Sequence, residues 1–397
     1  MPNPVYLRSL HLRHFRNYSD QGIQFDSPKT ILVGDNAQGK TNLLEAVELL
    51  ATLRSRRASR DRELVRKDSS QAQIAATVER RGVGHELVVD LRSNGRRTLK
   101  VNGQLLRRQA EFLGQLNAVL FSSLDLDLVR GGPESRRNWL DGVLIQLEPL
   151  YTGLLEHYRR VLKQRNALLK AQREPTGQTG HSFRDSEMAF WNRELATVGS
   201  RIVRRRARLL QRLEPLADHW HRAISDGQET LRLSYRPQVP LPDPEATAEV
   251  VQAQFLQEMK TKATAELALG SSLVGPHRDE VEMSINGTAA RAYGSQGQQR
   301  TLVLALKLAE LELIEQVIGE PPLLLLDDVL AELDLHRQNQ LLDAIQTRVQ
   351  TLVTTTHLGS FDAHWLSEAQ ILQVHAGRLC LYKADQQDSH LSKLPLM

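Results

Sequence analysis

Runs of apolar residues along the chain divide it into two strand-rich ends and a helical middle. Residues 5–15 alternate roughly between apolar and polar positions, and residues 30–33 form a short β-branched run, as strands do. From Thr41 onward, apolar residues recur at helical spacing, so we predict that a helix follows the second run after a short loop. The apolar run 323–326, and the run 351–354 after it, predict strands buried on both faces of a sheet.

Residues 71–101 have the pattern of short strands joined by tight turns. The strongest turn signal is Asn94-Gly95, because both central positions of a two-residue hairpin turn favour positive φ. A second pair of strand-like runs, 371–374 and 378–382, flanks another Gly-containing turn.

The middle of the chain predicts an antiparallel helical hairpin. Residues 151–169 and 188–209 carry large side chains at alternating spacings of four and three, interrupted by Arg165 in one half and Arg205 in the other. The link at 171–185 is polar and contains proline and glycine. Each arm would be roughly 30 Å long. An ordinary helical subdomain and a free-standing coiled coil both remain open.

These patterns together predict an α/β fold that is interrupted by a helical subdomain. We place the α/β part in residues 1–128 and 272–397, and the inserted helical subdomain in residues 129–271. Residues 245–269 and 298–317 predict two further helices.

Composition is that of a globular protein that does not cross a membrane. The chain has 397 residues, of which 41% are hydrophobic and 25% charged, with a formal net charge of +4. No apolar run approaches the roughly 18 residues of a membrane span, and residues 1–10 lack a secretory signal pattern. Cys380 is the only cysteine, so an internal disulfide is impossible. We therefore expect a cytoplasmic protein.

Basic side chains concentrate in two segments, which are candidates for contacts with DNA phosphates. The first contains Arg54, Arg56, Arg57, Arg60, Arg62, Arg66 and Lys67. The second contains Arg201, Arg204, Arg205, Arg206, Arg208 and Arg212. Such clusters can neutralise phosphates, but a solvated surface with acidic neighbours gives the same pattern.

A phosphate-binding loop lies between the second strand-like run and the helix that follows it. It matches G-x-x-x-x-G-K-[ST] and consists of Gly34, Asp35, Asn36, Ala37, Gln38, Gly39, Lys40 and Thr41. The glycines allow the backbone N–H groups to face inward, and the helix adds the positive end of its dipole. Lys40 supplies a charge for the β- and γ-phosphates of ATP, and the Thr41 hydroxyl is a ligand for Mg²⁺.

A pair of aspartates at the end of the 323–326 strand completes the predicted metal site. The carboxyl ends of buried strands deliver polar groups to the ligand crevice of open α/β sheets. We assign Asp327 to the shell of Mg²⁺ and Asp328 to polarising the attacking water.

Two further sites are weaker candidates for contact with phosphate. Ser295, Gly297 and Gln298 lie at the start of the predicted helix 298–317, where a helix N-terminus favours anions; a plain N-cap serine is the alternative. His357 follows the strand 351–354 and is a candidate for the γ-phosphate, although a single histidine after a strand is usually structural.

The order of these motifs resembles SMC-like ABC-type ATPases, and within them the RecF family. A long insertion separates the phosphate loop from the serine–glycine signature, whereas the two lie much closer in transporter-type ABC ATPases. The blocks that carry the resemblance are Phe15-Arg16-Asn17-Tyr18, residues 34–46, Gly275-Pro276-His277-Arg278-Asp279, residues 295–300 and residues 325–334.

This resemblance implies an ABC-type, SMC-like ATPase head with an inserted helical hairpin. Each head would bind ATP and Mg²⁺, and Ser295 would reach the γ-phosphate held by the opposite subunit, so that ATP closes a homodimer and weak hydrolysis opens it. The family binds DNA at gaps and at junctions of single and double strands, and with RecR and RecO helps RecA to load. It acts in recombinational repair and the SOS response.

Two departures from related heads bear on these expectations. Many ABC ATPases have glutamate at the position of Asp328. The RecF family has aspartate there, as this chain does, so slow turnover is expected. Residues 121–125 contain no counterpart of the metal-touching glutamine of SMC-like heads, and no residue is assigned to that role.

Two alternative functions are weighed against a DNA repair ATPase. One is a small-molecule P-loop kinase, for which we find no acceptor pocket or lid. The other is an ABC transporter subunit, whose motif spacing differs.

Overall fold

The structure is a computed structural model that describes residues 5–172, 181–241, 243, 245–330, 333, 335–345, 349–361 and 363–382. The strands are β1 (Tyr6–Phe15), β2 (Tyr18–Gln24), β3 (Lys29–Val33), β4 (Gln71–Arg80), β5 (Val83–Arg92), β6 (Arg97–Val101), β7 (Gln104–Leu105), β8 (Ala118–Ser122), β9 (Leu231–Arg236), β10 (Glu280–Ile285), β11 (Thr288–Ala289), β12 (Leu323–Asp327), β13 (Thr351–Thr355), β14 (Ala369–His375) and β15 (Arg378–Leu381). The helices are α1 (Lys40–Thr52), α2 (Gln109–Phe112), α3 (Asp127–Arg130), α4 (Pro133–Leu147), α5 (Tyr151–Gln172), α6 (His181–Ile224), α7 (Ala248–Leu269), α8 (Ala290–Tyr293), α9 (Gln296–Ile318), α10 (Leu335–Ile345) and α11 (Ala363–Glu368).

The chain forms two compact units. The first comprises residues 1–107, 118–123 and 320–397, and the second comprises residues 108–117 and 124–319. The predicted division differs from this one mainly in residues 272–319, which pack with the helical unit. The assignment of an ATPase head to 1–128 and 272–397, with 129–271 as its insertion, stays a prediction.

A mostly parallel sheet forms the centre of the first unit. Its strand order is β15-β14-β3-β13-β12-β8, and every neighbouring pair except β14–β15 is parallel. The residues of β3, β8 and β13 are buried throughout, because both faces of a parallel sheet are usually covered by other parts of the chain. This confirms the buried strands predicted at 323–326 and 351–354.

A second, antiparallel sheet completes the first unit. Its order is β2-β1-β4-β5-β6-β7, and β4 alternates between buried and more exposed positions. Asn94 and Gly95 lie in the link between β5 and β6, but only Gly95 has positive φ, at +82°, and four residues separate the strands, so the predicted two-residue turn is wrong. The strands predicted at 71–101 are confirmed.

In the second unit, α5 and α6 form the predicted antiparallel hairpin. The Tyr158 ring lies against Gly199, and Arg165 donates to Asn192 at 2.7 Å, so the two helices run in opposite directions. Arg165 interrupts the apolar seam and is buried. Its charge is balanced there by an ion pair with the buried Glu266 at 2.5 Å. Most of the predicted link between the arms, residues 173–180, lies outside the described residues.

The pattern of apolar residues did not reveal α4 or the small sheet β11-β10-β9 in this unit. Val281, Met283 and Ile285 are buried at every second position of β10, so an alternating signal was present in the sequence. α9 begins two residues before the predicted start and is buried around most of its circumference. Within the described part of the chain, the helices fall short of the length and apolar character needed to cross a bilayer.

Candidate functional site

The phosphate loop connects β3 to α1 and is shaped by two glycines. The Cβ atom of any side chain at Gly34 would lie 2.3 Å from the carbonyl oxygen of Val374. Gly39 has φ +121°, which other residues adopt rarely, and a Cβ atom there would lie 2.6 Å from the Asn17 side chain. Both positions therefore require glycine, as the motif predicts.

Lys40 folds its ammonium group back into this loop. Its Nζ donates to the carbonyl oxygens of Gly34 at 2.7 Å and Asp35 at 3.0 Å, and only 4% of the residue is exposed. These neutral acceptors hold the charge inside the loop without cancelling it. Phosphate oxygens are stronger acceptors for an ammonium group and can replace them.

Thr41 and Asp327 meet at the carboxyl edge of the parallel sheet. The Thr41 hydroxyl donates to Asp327 Oδ1 at 2.9 Å, and the Thr354 hydroxyl at the end of β13 donates to the same oxygen at 2.9 Å. Burial raises the pKa of Asp327 and the charge of Asp328 adds to this, although the two hydroxyl hydrogen bonds and Arg57 oppose it.

This pair of oxygens fits Mg²⁺. Neighbouring ligands of an octahedral magnesium ion, each 2.0–2.1 Å from the metal, lie about 2.9 Å apart. Thr41 Oγ1 and Asp327 Oδ1 are separated by 2.9 Å, and both are the hard oxygen donors that Mg²⁺ prefers. These two protein ligands would leave the remaining positions for phosphate oxygens and water.

Asp328 adopts a left-handed backbone conformation directly after β12. Its φ is +55°, and its N–H donates to Thr354 Oγ1 at 2.9 Å. Aspartate tolerates this region better than most residues, and such conformations concentrate at functional sites. Its role in polarising water stays a prediction. Ala331, Glu332 and Asp334, from the same sequence block, lie outside the described residues.

His357 follows β13, so the structure brings it to the same sheet edge as Asp327. The residue is exposed, and its backbone is held by Thr355, whose hydroxyl donates to the His357 carbonyl oxygen at 2.8 Å. An exposed imidazole at this edge is compatible with contact to a phosphate, and this role also stays a prediction.

Asn17 and the β14–β15 turn clamp the phosphate loop, a role that the sequence patterns did not reveal. Asn17 Nδ2 donates to the Gln38 carbonyl oxygen at 2.9 Å, and the N–H of Gly377 donates to the same oxygen at 2.9 Å. The Gln38 side chain in turn accepts from the N–H of Ala376 at 2.7 Å. Asn42 on α1 donates to Asn17 Oδ1 at 2.8 Å. The loop conformation thus depends on two turns distant in sequence.

The first basic segment is partly tied to this clamp. Arg57 donates to Asn42 Oδ1 at 2.9 Å, and Arg66 donates to the Asn17 carbonyl oxygen at 3.1 Å. Arg56 forms an ion pair with Glu48, and Arg60, Arg62 and Lys67 are exposed.

The second basic segment is largely neutralised within its own unit. Arg206 is 95% buried and forms two hydrogen bonds of 2.9 Å with the Asp141 carboxylate, so its candidacy for DNA contact is wrong. The segment's other pairs are Arg204 with the Ala246 carbonyl oxygen, Arg205 with Glu148 and Arg208 with Glu245. Helical spacing alone could not reveal these acidic partners.

Ser295 is the N-cap of α9 in the second unit. Its hydroxyl oxygen accepts from the Gln298 N–H at 3.2 Å, and the Gln298 side chain accepts from the Ser295 N–H at 2.9 Å, which completes a capping box. Gly297 and Gln298 therefore lie in the first turn of the helix. Ser295 is exposed, so the cap and an additional contact with an anion are compatible.

Comparison with known proteins places the chain in one family. The model of the RecF/RecN/SMC N terminal domain matches residues 6–376. The DNA replication and repair protein RecF of Synechococcus sp. (strain JA-2-3B'a(2-13)) is 78% identical over 375 residues, which cover 94% of this chain and 97% of that protein. RecF of Nostoc punctiforme (strain ATCC 29133 / PCC 73102) is 61% identical, with coverage of 94% and 99%.

Solved structures agree with this placement. The recombination mediator protein RecF-ATP in RecFOR pathway is 31% identical, with a TM-score of 0.87 and coverage of 96% of this chain and 99% of that one. The Smc head domain derived from Pyrococcus furiosus, solved with an extended coiled coil and the C-terminal domain of ScpA, has a TM-score of 0.52 at 17% identity, covers 98% of both chains and shows the fold alone. The predicted SMC-like, ABC-type ATPase fold is confirmed, and the chain belongs to the RecF family.

Proposed function

We propose that this RecF-family chain is an ATP-dependent DNA repair protein, two copies of which close around ATP on DNA. The observation that carries the proposal is the meeting of Lys40, Thr41 and Asp327 at one sheet edge, where an ammonium, a hydroxyl and a carboxylate suit a magnesium nucleotide. The 31% identical relative solved as RecF-ATP supports the choice of nucleotide. The DNA replication and repair proteins at 61–78% identity support the biological role.

In the proposed site, residues 34–41 wrap the phosphates and Lys40 exchanges its carbonyl contacts for phosphate oxygens. Thr41 and Asp327 would hold Mg²⁺, which neutralises charge on the phosphates. Asp328 orients the attacking water, and His357 contacts the γ-phosphate from the end of β13. Asp328 is one methylene shorter than glutamate, so we expect slow hydrolysis that resets a switch.

The second half of the site would come from the other copy. Ser295, Gly297 and Gln298 of one subunit would approach the γ-phosphate held by its partner, because the N-terminus of α9 attracts anions. The functional ATPase head would then comprise residues 1–128 and 272–397. ATP binding would thereby determine whether the dimer is closed.

The expected partners follow from the family. We infer binding to DNA at gaps and at junctions of single and double strands, and cooperation with RecR and RecO in helping RecA to load. These steps belong to recombinational repair and the SOS response, and they would take place in the cytoplasm.

Gel-shift binding to gapped and blunt duplexes, with and without ATP and Mg²⁺, tests the proposal. We expect retention of DNA to require both ATP and Mg²⁺ and to be tighter for the gapped duplex. The product of hydrolysis should be free inorganic phosphate. Equal binding without nucleotide, or transfer of phosphate to a small-molecule acceptor, would contradict the proposal.

The exposed part of the first basic segment should contribute to DNA affinity through phosphates. In the combined variant Arg60→Glu, Arg62→Glu and Lys67→Glu, the slope of log affinity against log salt should fall by about one for each lost phosphate contact. In the matched control, glutamate replaces three exposed arginines in or next to the strands of the antiparallel sheet: Arg92, Arg96 and Arg107. An equal change in both variants would show that net charge, rather than this segment, sets the slope.

A further inference from the structure

Glu229 links the long helix α6 to the capping box of α9. It lies between the end of α6 and the start of β9, and its side chain is 19% exposed. Its Oε2 accepts from Nε2 of His221, a fully buried residue of α6, at 2.9 Å. Its Oε1 accepts from Nε2 of Gln298 at 2.8 Å. Each carboxylate oxygen thus holds a different element.

This contact determines which way the Gln298 amide faces. A carboxylate only accepts hydrogen bonds, so Gln298 must present its NH₂ group to Glu229. The amide oxygen is then directed to the other side, where it accepts from the Ser295 N–H at 2.9 Å. If the amide turned over, its NH₂ group would face the Ser295 N–H, and two donors cannot bond to each other.

The capping box in turn fixes the Ser295 hydroxyl. Its oxygen accepts from the Gln298 N–H at 3.2 Å, so a lone pair is used within the cap. The hydroxyl proton remains for an acceptor outside the helix, and Ser295 is exposed. A phosphate oxygen that approaches the N-terminus of α9 is such an acceptor.

We propose that Glu229 is a positioning residue for the signature serine. By orienting Gln298, it keeps the Ser295 hydroxyl in position to bind the γ-phosphate held by the opposite subunit. This position then also depends on α6, because Glu229 is bound to His221. The inference rests on the proposed function, because it concerns the composite site between two copies. Glu229 itself touches no nucleotide.

A second α6–α9 contact provides a control for general packing. Trp220, next to His221 on α6, donates to Glu312 of α9 at 2.8 Å. Glu312 is on the same pair of helices but lies 14 residues after Gln298, which is roughly 21 Å along the helix. Loss of this contact weakens the helix pair without touching the capping box.

The experiment measures dimerisation of the full chain by sedimentation velocity with a non-hydrolysable ATP analogue and Mg²⁺, together with analogue affinity in the monomer. Glu229→Ala should weaken the dimer roughly tenfold, because a capping interaction is lost at both composite sites, while analogue affinity stays unchanged. Gln298→Ala should weaken the dimer to a similar extent. The double variant should be no weaker than Gln298→Ala alone, since Glu229 acts through Gln298. Glu312→Ala should dimerise as the unmodified chain does.

The possible results separate this inference from the proposed function. If Ser295→Arg dimerises normally, the composite site itself is wrong. If Ser295→Arg prevents dimerisation but Glu229→Ala dimerises normally, only the role of Glu229 is wrong. Additive losses in the double variant, or an equal loss in Glu312→Ala, would show that Glu229 contributes to packing and does not position the serine.

Discussion

Replacing Ser295 by arginine is expected to abolish ATP-driven dimerisation and to leave ATP binding by the monomer intact. The exposed serine would face a phosphate across a closely packed subunit interface, and a long side chain there clashes with the partner. Because overpacking costs roughly 1–3 kcal/mol at each of two symmetric sites, or about 2–6 kcal/mol in total, the dimer should weaken by at least about 30-fold. In the proposed site, residues 34–41 bind ATP, and they belong to the other compact unit, so ATP affinity should not change.

Light scattering with ATP and Mg²⁺ measures this effect, and Thr247→Arg is the matched control. Thr247 is the N-cap of α7 and accepts from the Val250 N–H at 3.4 Å, so its replacement also removes a cap and adds a positive charge. The control should dimerise normally. Normal dimerisation of Ser295→Arg, or a parallel loss of ATP binding, would contradict the proposed role in the opposite subunit.

Replacing Arg206 by methionine is expected to lower the free energy of unfolding by about 3–5 kcal/mol, because one partner of a buried ion pair is removed. Arg206 and Asp141 are each 5% exposed, and Arg206 also donates to the Pro276 carbonyl oxygen at 2.6 Å. The substitution would remove the cation that pairs with the buried carboxylates of Asp141 and Asp279. Urea denaturation provides the measurement.

The matched control for stability is Arg208→Met, two residues along α6. Arg208 is 43% exposed and pairs with Glu245, which is 62% exposed, so the expected loss is below about 1 kcal/mol. Equal losses in the two variants would show that the buried Arg206–Asp141 pair contributes no more to the free energy of unfolding than an exposed pair does.

The loss in Arg206→Met should also depend on pH. Burial raises the pKa of Asp279, and Arg206 opposes this rise more strongly than the second nearby cation, Arg137, does. Without Arg206 the folded-state pKa of Asp279 rises further, so the folded chain holds this proton more tightly than the unfolded chain does. The stability that protonation of Asp279 contributes is fully present at a pH below the pKa of the unfolded state. It is lost as pH rises through the pKa of the folded state. The deficit relative to the unmodified chain should therefore shrink toward acidic pH.

The nucleotide loop and Asp327 were predictable because their signals are local. The motif from Gly34 to Lys40 lies between a strand and a helix and can be recognised from a few residues. The same is true of an apolar run that ends in aspartate. Parallel strands then bring their carboxyl ends together, so the meeting of Thr41 and Asp327 follows from topology.

The remaining contacts were not predictable, because they join residues that are distant in sequence. Asn17 holds a loop more than twenty positions away, and Glu229 orients Gln298 across 69 positions. Burial of Arg206 likewise depends on Asp141, which is 65 positions away. A cluster of arginines looks the same in sequence whether its side chains meet water or a buried carboxylate.

The strand order of the parallel sheet has a consequence for synthesis of the chain. β3, which leads into the phosphate loop, is translated more than 300 residues before both of its neighbours, β13 and β14. The turn at Ala376 and Gly377 that holds Gln38 emerges later still. A nascent chain can therefore complete its antiparallel strands β1, β2 and β4–β7 before the contacts that hold the phosphate loop have been translated.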